Sequence, residues 1–139
     1  MNVLVVYESR SGHTRRAAEA IADAARSGGA TVVVKPIDTL AADDAATADA
    51  VVVGTWVEGL IIFGVKPAGA RKWSLPSLTG KRAAVFCTYA FNPRGALDTL
   101  ADVVAAAGAN VVARHAFHHR DPTSGAADFA RELLGTAPT

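Results

Sequence analysis

Four short runs of apolar, mostly β-branched residues recur along this 139-residue chain: VLVVY at Val3–Tyr7, TVVVK at Thr31–Lys35, VVVGT at Val51–Thr55 and AAVFCT at Ala83–Thr88. None alternates apolar with polar residues, so each reads as a strand buried on both faces, the pattern of a parallel sheet. Asn110–Phe117 adds a fifth, weaker run. The intervening stretches have helical period. Arg15–Ser27 is closed by Gly28 and Gly29; Pro93–Gly108 carries Leu97, Leu100, Ala101 and Val104 on one face and Asp98 and Asp102 on the other; Ala126–Leu134 aligns Phe129, Ala130 and Leu133. Residues 38–47 read as a short helix capped by Asp38, and residues 66–80, with Pro67 and Pro76, as loop or a brief helix. Repeated strand-helix alternation predicts right-handed crossovers onto one parallel sheet with helices on both faces, in a single α/β domain over 1–139.

Ligands of such sheets bind at the carboxyl ends of the strands. Three loops should therefore converge on one rim: Glu8–Thr14, Trp56–Pro67 and Tyr89–Pro93. The first contains YESRSGHT, residues 7–14. Ser9, Ser11 and Thr14 bring hydroxyls, Gly12 permits a tight turn, and the free N–H groups of the following helix carry partial positive charge. Two readings fit: a nest for a tetrahedral dianion, or a strand-to-helix turn capped by Ser or Thr. Other phosphate motifs fail by spacing. In GLIIFGVK, Val65 stands where a P-loop needs lysine; no G-x-G-x-x-G occurs; and six residues separate Cys87 from Arg94, where a C-x5-R loop has five.

The S-x-S-G-x-T turn directly after the first strand resembles the T-x-T-G-x-T phosphate loop of the flavodoxin family. VVVGTW at Val51–Trp56 resembles that family's third strand and the start of its first flavin-flanking loop, and AVFCTYAFNP at Ala84–Pro93 its fourth strand and second flavin loop. The resemblance covers essentially the whole chain. It implies a doubly wound, five-stranded parallel sheet of order 2-1-3-4-5, FMN as cofactor, and an electron carrier or small oxidoreductase. Cofactor contacts are then expected from Ser9, Arg10, Ser11, Gly12, His13 and Thr14 at the phosphate, and from Thr55, Trp56, Val57, Glu58, Gly59, Thr88, Tyr89, Ala90, Phe91 and Asn92 around the ring. A flavin needs aromatic faces, which Trp56 and Tyr89, each placed one residue past its strand, would supply. No side chain stands out as a catalytic acid or base. The rival reading is a non-redox binding or regulatory module that keeps the fold without holding FMN tightly.

Charge bears on both readings. Net charge is +1, which gives no field for nucleic acid, and no stretch is apolar for the ~20 residues a membrane span needs. Met1 leads straight into a strand pattern, so a cytoplasmic location is expected. One cysteine, Cys87, excludes an internal disulfide and reads as small buried core. Between Leu60 and Leu97 lie six cations (Lys66, Arg71, Lys72, Lys81, Arg82, Arg94) and no Asp or Glu. Either these form a solvated face, or they surround the flavin; at ~8 Å and an effective dielectric of ~20, one cation would favour a reduced anionic ring by about 2 kcal/mol and make it less strongly reducing. The segment would also attract an acidic substrate or redox partner protein; the resemblance separately allows a small-molecule electron acceptor, with quinone or porphyrinogen-like substrates among those that flavodoxin-like proteins use. Residues 59–65, rich in Leu60, Ile61, Ile62 and Phe63, read as core, as a lid, or as a surface for a second copy of the chain. His115, His118 and His119 read as polar strand-end residues rather than metal ligands, since His118 points away from the other two. His13, inside the turn, would add positive charge toward phosphate at low pH.

Overall fold

Strand β1 (Asn2–Tyr7) lies between β2 (Thr31–Pro36) and β3 (Ala50–Glu58), and the sheet continues through β5 (Arg82–Tyr89) to β6 (Asn110–His118), all five parallel in the order β2-β1-β3-β5-β6. Taken in chain order without the short β4, these are the expected 2-1-3-4-5. The computed structural model describes residues 1–8, 12–58, 66–67, 76–90 and 95–135, with backbone alone at residues 42, 57, 58, 66 and 67. Strand β4 (Lys66–Pro67) pairs antiparallel with the end of β3, Glu58 opposite Lys66 and Val57 opposite Pro67.

The continuous apolar runs are explained by two cores, one on each face of the sheet. Val3, Val5, Val52, Ala84 and Phe86 point toward α1 (His13–Ser27) and α4 (Ala126–Leu134), where they meet Ala18, Ile21, Phe129 and Leu133. Their neighbours Leu4, Val6, Val51, Val53 and Val85 point toward α2 (Ala42–Ala46) and α3 (Ala96–Ala106), against Ala45, Leu100 and Val104. Period-2 geometry thus sends the apolar residues of β1, β3 and β5 into one core or the other; the run at Thr31–Lys35 differs from the sequence reading, because β2 is an edge strand and only Val32 is buried, Val33 being 47% exposed. The first core is aromatic: Phe86 stands edge-on to Phe117 and Phe129, with ring centroids 5.8 and 6.3 Å away. It also requires Gly54, since a Cβ there would overlap the Phe86 ring.

Several boundaries differ from the sequence reading. Helix α1 starts at His13, two residues early, because Gly12 adopts φ 89° and sets the chain turning there. Residues 37–47 split into a 3₁₀ turn (Ile37–Thr39) and α2, and Asp38 caps neither; the Asp44 carboxylate takes the Ala41 N–H at 2.9 Å instead, and is held from the other side by Lys35 Nζ at 2.8 Å. Hydrogen bonds to Lys35 and then to the Ala41 backbone lower the Asp44 pKa. Helix α3 begins at Ala96 rather than Pro93, which lies outside the described residues. Of 66–80, the described parts are β4 and the segment 76–80, which is not helical and buries Leu78 against the α3 face. Among the described residues no helix is long and apolar enough to cross a membrane.

Candidate functional site

The carboxyl ends of β1, β3 and β5 meet on one rim, as the topology requires. Gly12 is the N-cap of α1 in the left-handed conformation, makes no side-chain cap, and has open space where a Cβ would sit. Its carbonyl accepts the Arg16 N–H at 3.0 Å, so the N-cap residue is a glycine rather than a Ser or Thr, and no acidic residue lies in the first turn of the helix. An anion seated at this turn would meet the positive end of the α1 dipole. Ser9, Arg10 and Ser11 lie outside the described residues.

Thr14 and Thr88 tie the turn to β5. Both are buried, 1% and 3% exposed, and their hydroxyl oxygens are 2.7 Å apart. If Thr88 donates, the Thr14 hydrogen is released for an anion above it, because a hydroxyl donates once and accepts twice. Thr55 is fully buried in β3. Trp56 is not past the strand, as its sequence position implied: β3 runs on to Glu58, and Trp56 pairs in register with Thr88, half-buried at the rim. Strand extension is explained by β4, whose pairing carries β3 beyond its parallel neighbours. Tyr89 ends β5, half-buried, with Ala90 exposed after it. Backbone alone is described at Val57 and Glu58; Gly59, the rest of 59–65, Phe91 and Asn92 lie outside the described residues.

Two residues singled out for other reasons turn out to belong to this rim. The His119 N–H donates to the Tyr89 carbonyl at 2.8 Å, and its ring stands edge-on to His13 with centroids 5.4 Å apart. His118 packs edge-on against Tyr89, centroids 5.2 Å apart. Sequence spacing had put His115 and His119 on one face and His118 on the other; instead His118 and His119 lie together, centroids 4.8 Å apart, because β6 ends at His118 and strand alternation stops there, while His115 packs on Phe117 and Phe129. Spacing could not show that α1 delivers His13 to the end of β6. Among the described residues no group of His, Cys, Asp or Glu is arranged to hold a metal ion. Cys87 is buried core as expected, its thiol pushed up to about 12 by desolvation, so it is no nucleophile.

The basic segment divides. Lys81 and Arg82 lie at the amino end of β5, where Lys81 Nζ donates to the Ala48 carbonyl at 2.6 Å and Arg82 to the Leu133 and Glu132 carbonyls at 2.9 and 3.2 Å. Seven strand steps of ~3.3 Å put Arg82 about 23 Å from Tyr89, beyond two screening lengths. These two cations cannot tune a ligand at the rim. The side chains of Lys66, Arg71, Lys72 and Arg94 are outside the described residues.

A flavodoxin domain model matches residues 4–110. The chain belongs to the flavodoxin family. The two-electron reduced flavodoxin of Megasphaera elsdenii superposes with a TM-score of 0.78 at 20% identity, covering 96% of this chain and 99% of that one. The flavodoxin of Streptococcus pneumoniae TIGR4 does so with 0.78 at 23% identity, covering 99% and 100%. Rubredoxin:oxygen oxidoreductase from Desulfovibrio gigas matches with 0.67 at 19% identity, over 96% of this chain but 36% of its own. At these identities the structural likeness is one of fold. No curated protein matches. Flavodoxins bind FMN, and the rim fits that group. A left-handed glycine turn with open space at its Cβ position begins a helix without an acidic residue in its first turn, a buried hydroxyl pair ties that turn to β5, and two half-buried aromatics stand on neighbouring strands.

Proposed function

We propose that residues 1–139 act as one flavodoxin-like domain that carries electrons on FMN between redox partners, protein or small molecule. The supporting observation is the left-handed Gly12 turn placed on the same rim as Trp56 and Tyr89. In this reading Ser9, Arg10, Ser11, Gly12, His13 and Thr14 hold the phosphate with helix N–H groups and hydroxyls. Thr55–Gly59 and Thr88–Asn92 flank the ring, Trp56 and Tyr89 offering it aromatic faces. When bound, FMN supplies the electron chemistry, and the chain's task is to position it, exclude water and set local charge.

The Thr14–Thr88 bond fixes the phosphate turn relative to the β5 loop, so the two ends of the cofactor are gripped by one rigid unit. With Lys81 and Arg82 removed from the rim, a less strongly reducing flavin would have to come from Lys66, Arg71, Lys72 and Arg94; spectroelectrochemical titration giving a very low potential would reject that role for them. The visible spectrum of the purified protein, alone and with added FMN, tests the main reading. Flavin absorbance that stays with the protein through gel filtration is expected. Failure to take up FMN at micromolar concentration would sink it in favour of a non-redox binding module.

A further inference from the structure

Three imidazoles gather where α1 meets the end of β6. His13, the first residue of α1, and His119, the first after β6, stand edge-on at 5.4 Å between centroids; His118 lies 4.8 Å from His119. The Nδ1 of His13 is enclosed and has no hydrogen-bond partner. His118 is committed differently: its Nδ1 accepts the Arg120 backbone N–H at 3.2 Å, which places the ring proton of its neutral form on Nε2 and turns the ring edge to Tyr89. The groups facing His119 are thus His13 from α1, His118 from its own strand, Arg120 from the following turn and Tyr89 from β5. No carboxylate forms an ion pair with these histidines among the described residues. Desolvation first, then repulsion from His118, His13 and Arg120, lowers the His119 pKa below the usual histidine range.

The opposite flank of Gly12 has the reverse character. A groove of about 420 Å³ runs beside it, lined by Glu8, Asp38 and Arg15, whose guanidinium is bridged to Glu19 at 3.0 Å. An anion seated at the turn meets carboxylates on one side and imidazoles on the other. Electrostatics favours the imidazole side.

We propose that His13 and His119 form a proton-accepting wall at the phosphate-binding end of the site, so that binding of the FMN phosphate draws protons onto the pair and cofactor retention depends on pH. This rests on the FMN reading above. Charges on two rings whose centroids are 5.4 Å apart would repel one another and Arg120; a dianion beside them offsets that repulsion. By linkage, whatever raises proton affinity when the dianion binds must raise dianion affinity when protons bind. Retention therefore strengthens as pH falls and weakens as it rises.

Calorimetric titration of the FMN-free full chain with FMN at pH 7.5, in two phosphate-free buffers of different ionisation enthalpy, counts the protons. Free phosphate monoester is almost wholly dianionic there, with a second pKa near ~6, so any uptake belongs to the protein. Uptake of about half to one proton per FMN is expected, with Kd rising several-fold and at most about tenfold per pH unit above neutrality. Riboflavin, which lacks the phosphate, should bind with little uptake. His13→Gln and His119→Gln should each cut the uptake to about half. In the wild-type chain, NMR titration of the imidazole resonances should show two histidines shifting to higher pKa when FMN is added, which reads the effect without any variant. If no flavin binds at any pH, the cofactor reading fails and this proposal with it. FMN binding with no uptake, with equal uptake for riboflavin, or with no imidazole shift overturns this proposal alone.

Discussion

Where the strands begin, charges are used up in holding the fold together. Asp49 takes the Asn2 N–H at 2.8 Å, Lys81 reaches the Ala48 carbonyl, and Arg82 donates to two carbonyls in the last turn of α4. Where the strands end, the described residues make a more open surface. Gly12 opens α1 in the left-handed conformation, His13 Nδ1 has no hydrogen-bond partner, and the rings of Trp56 and Tyr89 are half-buried at the rim. Both ends rest on the same two cores, yet the charges at the first are committed to backbone groups of the chain, while the second presents a glycine turn, aromatic rings and an unpartnered imidazole nitrogen. A substitution at either end should therefore report separately on stability or on binding, while one in the core should report on both.

The largest effect should come from the core. Phe86 fills the space over Gly54 and holds Phe117 and Phe129, so Phe86→Ala is expected to lose about 3–5 kcal/mol, read by urea denaturation. Gly54→Ala is the complementary test. Its added methyl meets the ring, and overpacking of this kind costs about 1–3 kcal/mol or more. An unchanged midpoint in both variants would mean that the two ends do not share this scaffold.

Next comes the open end. Gly12→Val forces a β-branched residue to φ 89° in the turn, and FMN affinity should fall by about a hundredfold or more, roughly 2.7 kcal/mol, in fluorescence titration. Stability should drop by only about 1–3 kcal/mol, the cost of one strained residue. Arg82→Met inverts the pattern. It removes the bonds to the α4 carbonyls, with an expected loss of about 1–3 kcal/mol in thermal or urea unfolding and no change in FMN affinity or reduction potential. A shift in potential on losing Arg82 would break the separation between the ends.

Much of this was legible from residue order. Apolar runs too continuous for a half-exposed sheet announced the two-sided burial of β1, β3 and β5, though not the exposed edge of β2, and Gly12, Thr14 and Tyr89 do lie on one rim. What could not be read depends on contacts between distant segments. The six-cation stretch looks uniform along the chain, but strand β5 carries Lys81 and Arg82 to the opposite end of the sheet from Tyr89. His13 and His119 are 106 positions apart in number, and only the packing of α1 beside β6 makes them neighbours. Trp56 was misjudged because β4, two residues long and containing proline, has no sequence signature as a strand. The cap of α2 was misassigned for a simpler reason. Asp38 and Asp44 are both plausible caps by type, and Lys35 decides between them by fixing Asp44 in place.

That Lys35–Asp44 pair should give the smallest effect, and it sharpens the comparison because it lies at the carboxyl end of the edge strand β2 yet serves the fold. Two hydrogen bonds from Lys35 and one from the Ala41 N–H favour the ionised carboxyl, so the folded chain holds Asp44 below its unfolded pKa. A depressed carboxylate adds stability that is fully present above the unfolded value, near ~3.9, and is lost as pH falls through the folded one. Urea midpoints measured from pH 6 to pH 3 should therefore fall slightly less steeply for Asp44→Asn than for the natural chain. Above pH 6 the variant should be modestly less stable, with unchanged FMN binding. The pH dependence assigned to His13 and His119 lies higher, in binding rather than unfolding, so the same variant should leave it intact. If Asp44→Asn altered FMN retention near neutrality, the edge of β2 would have to be counted as part of the open end.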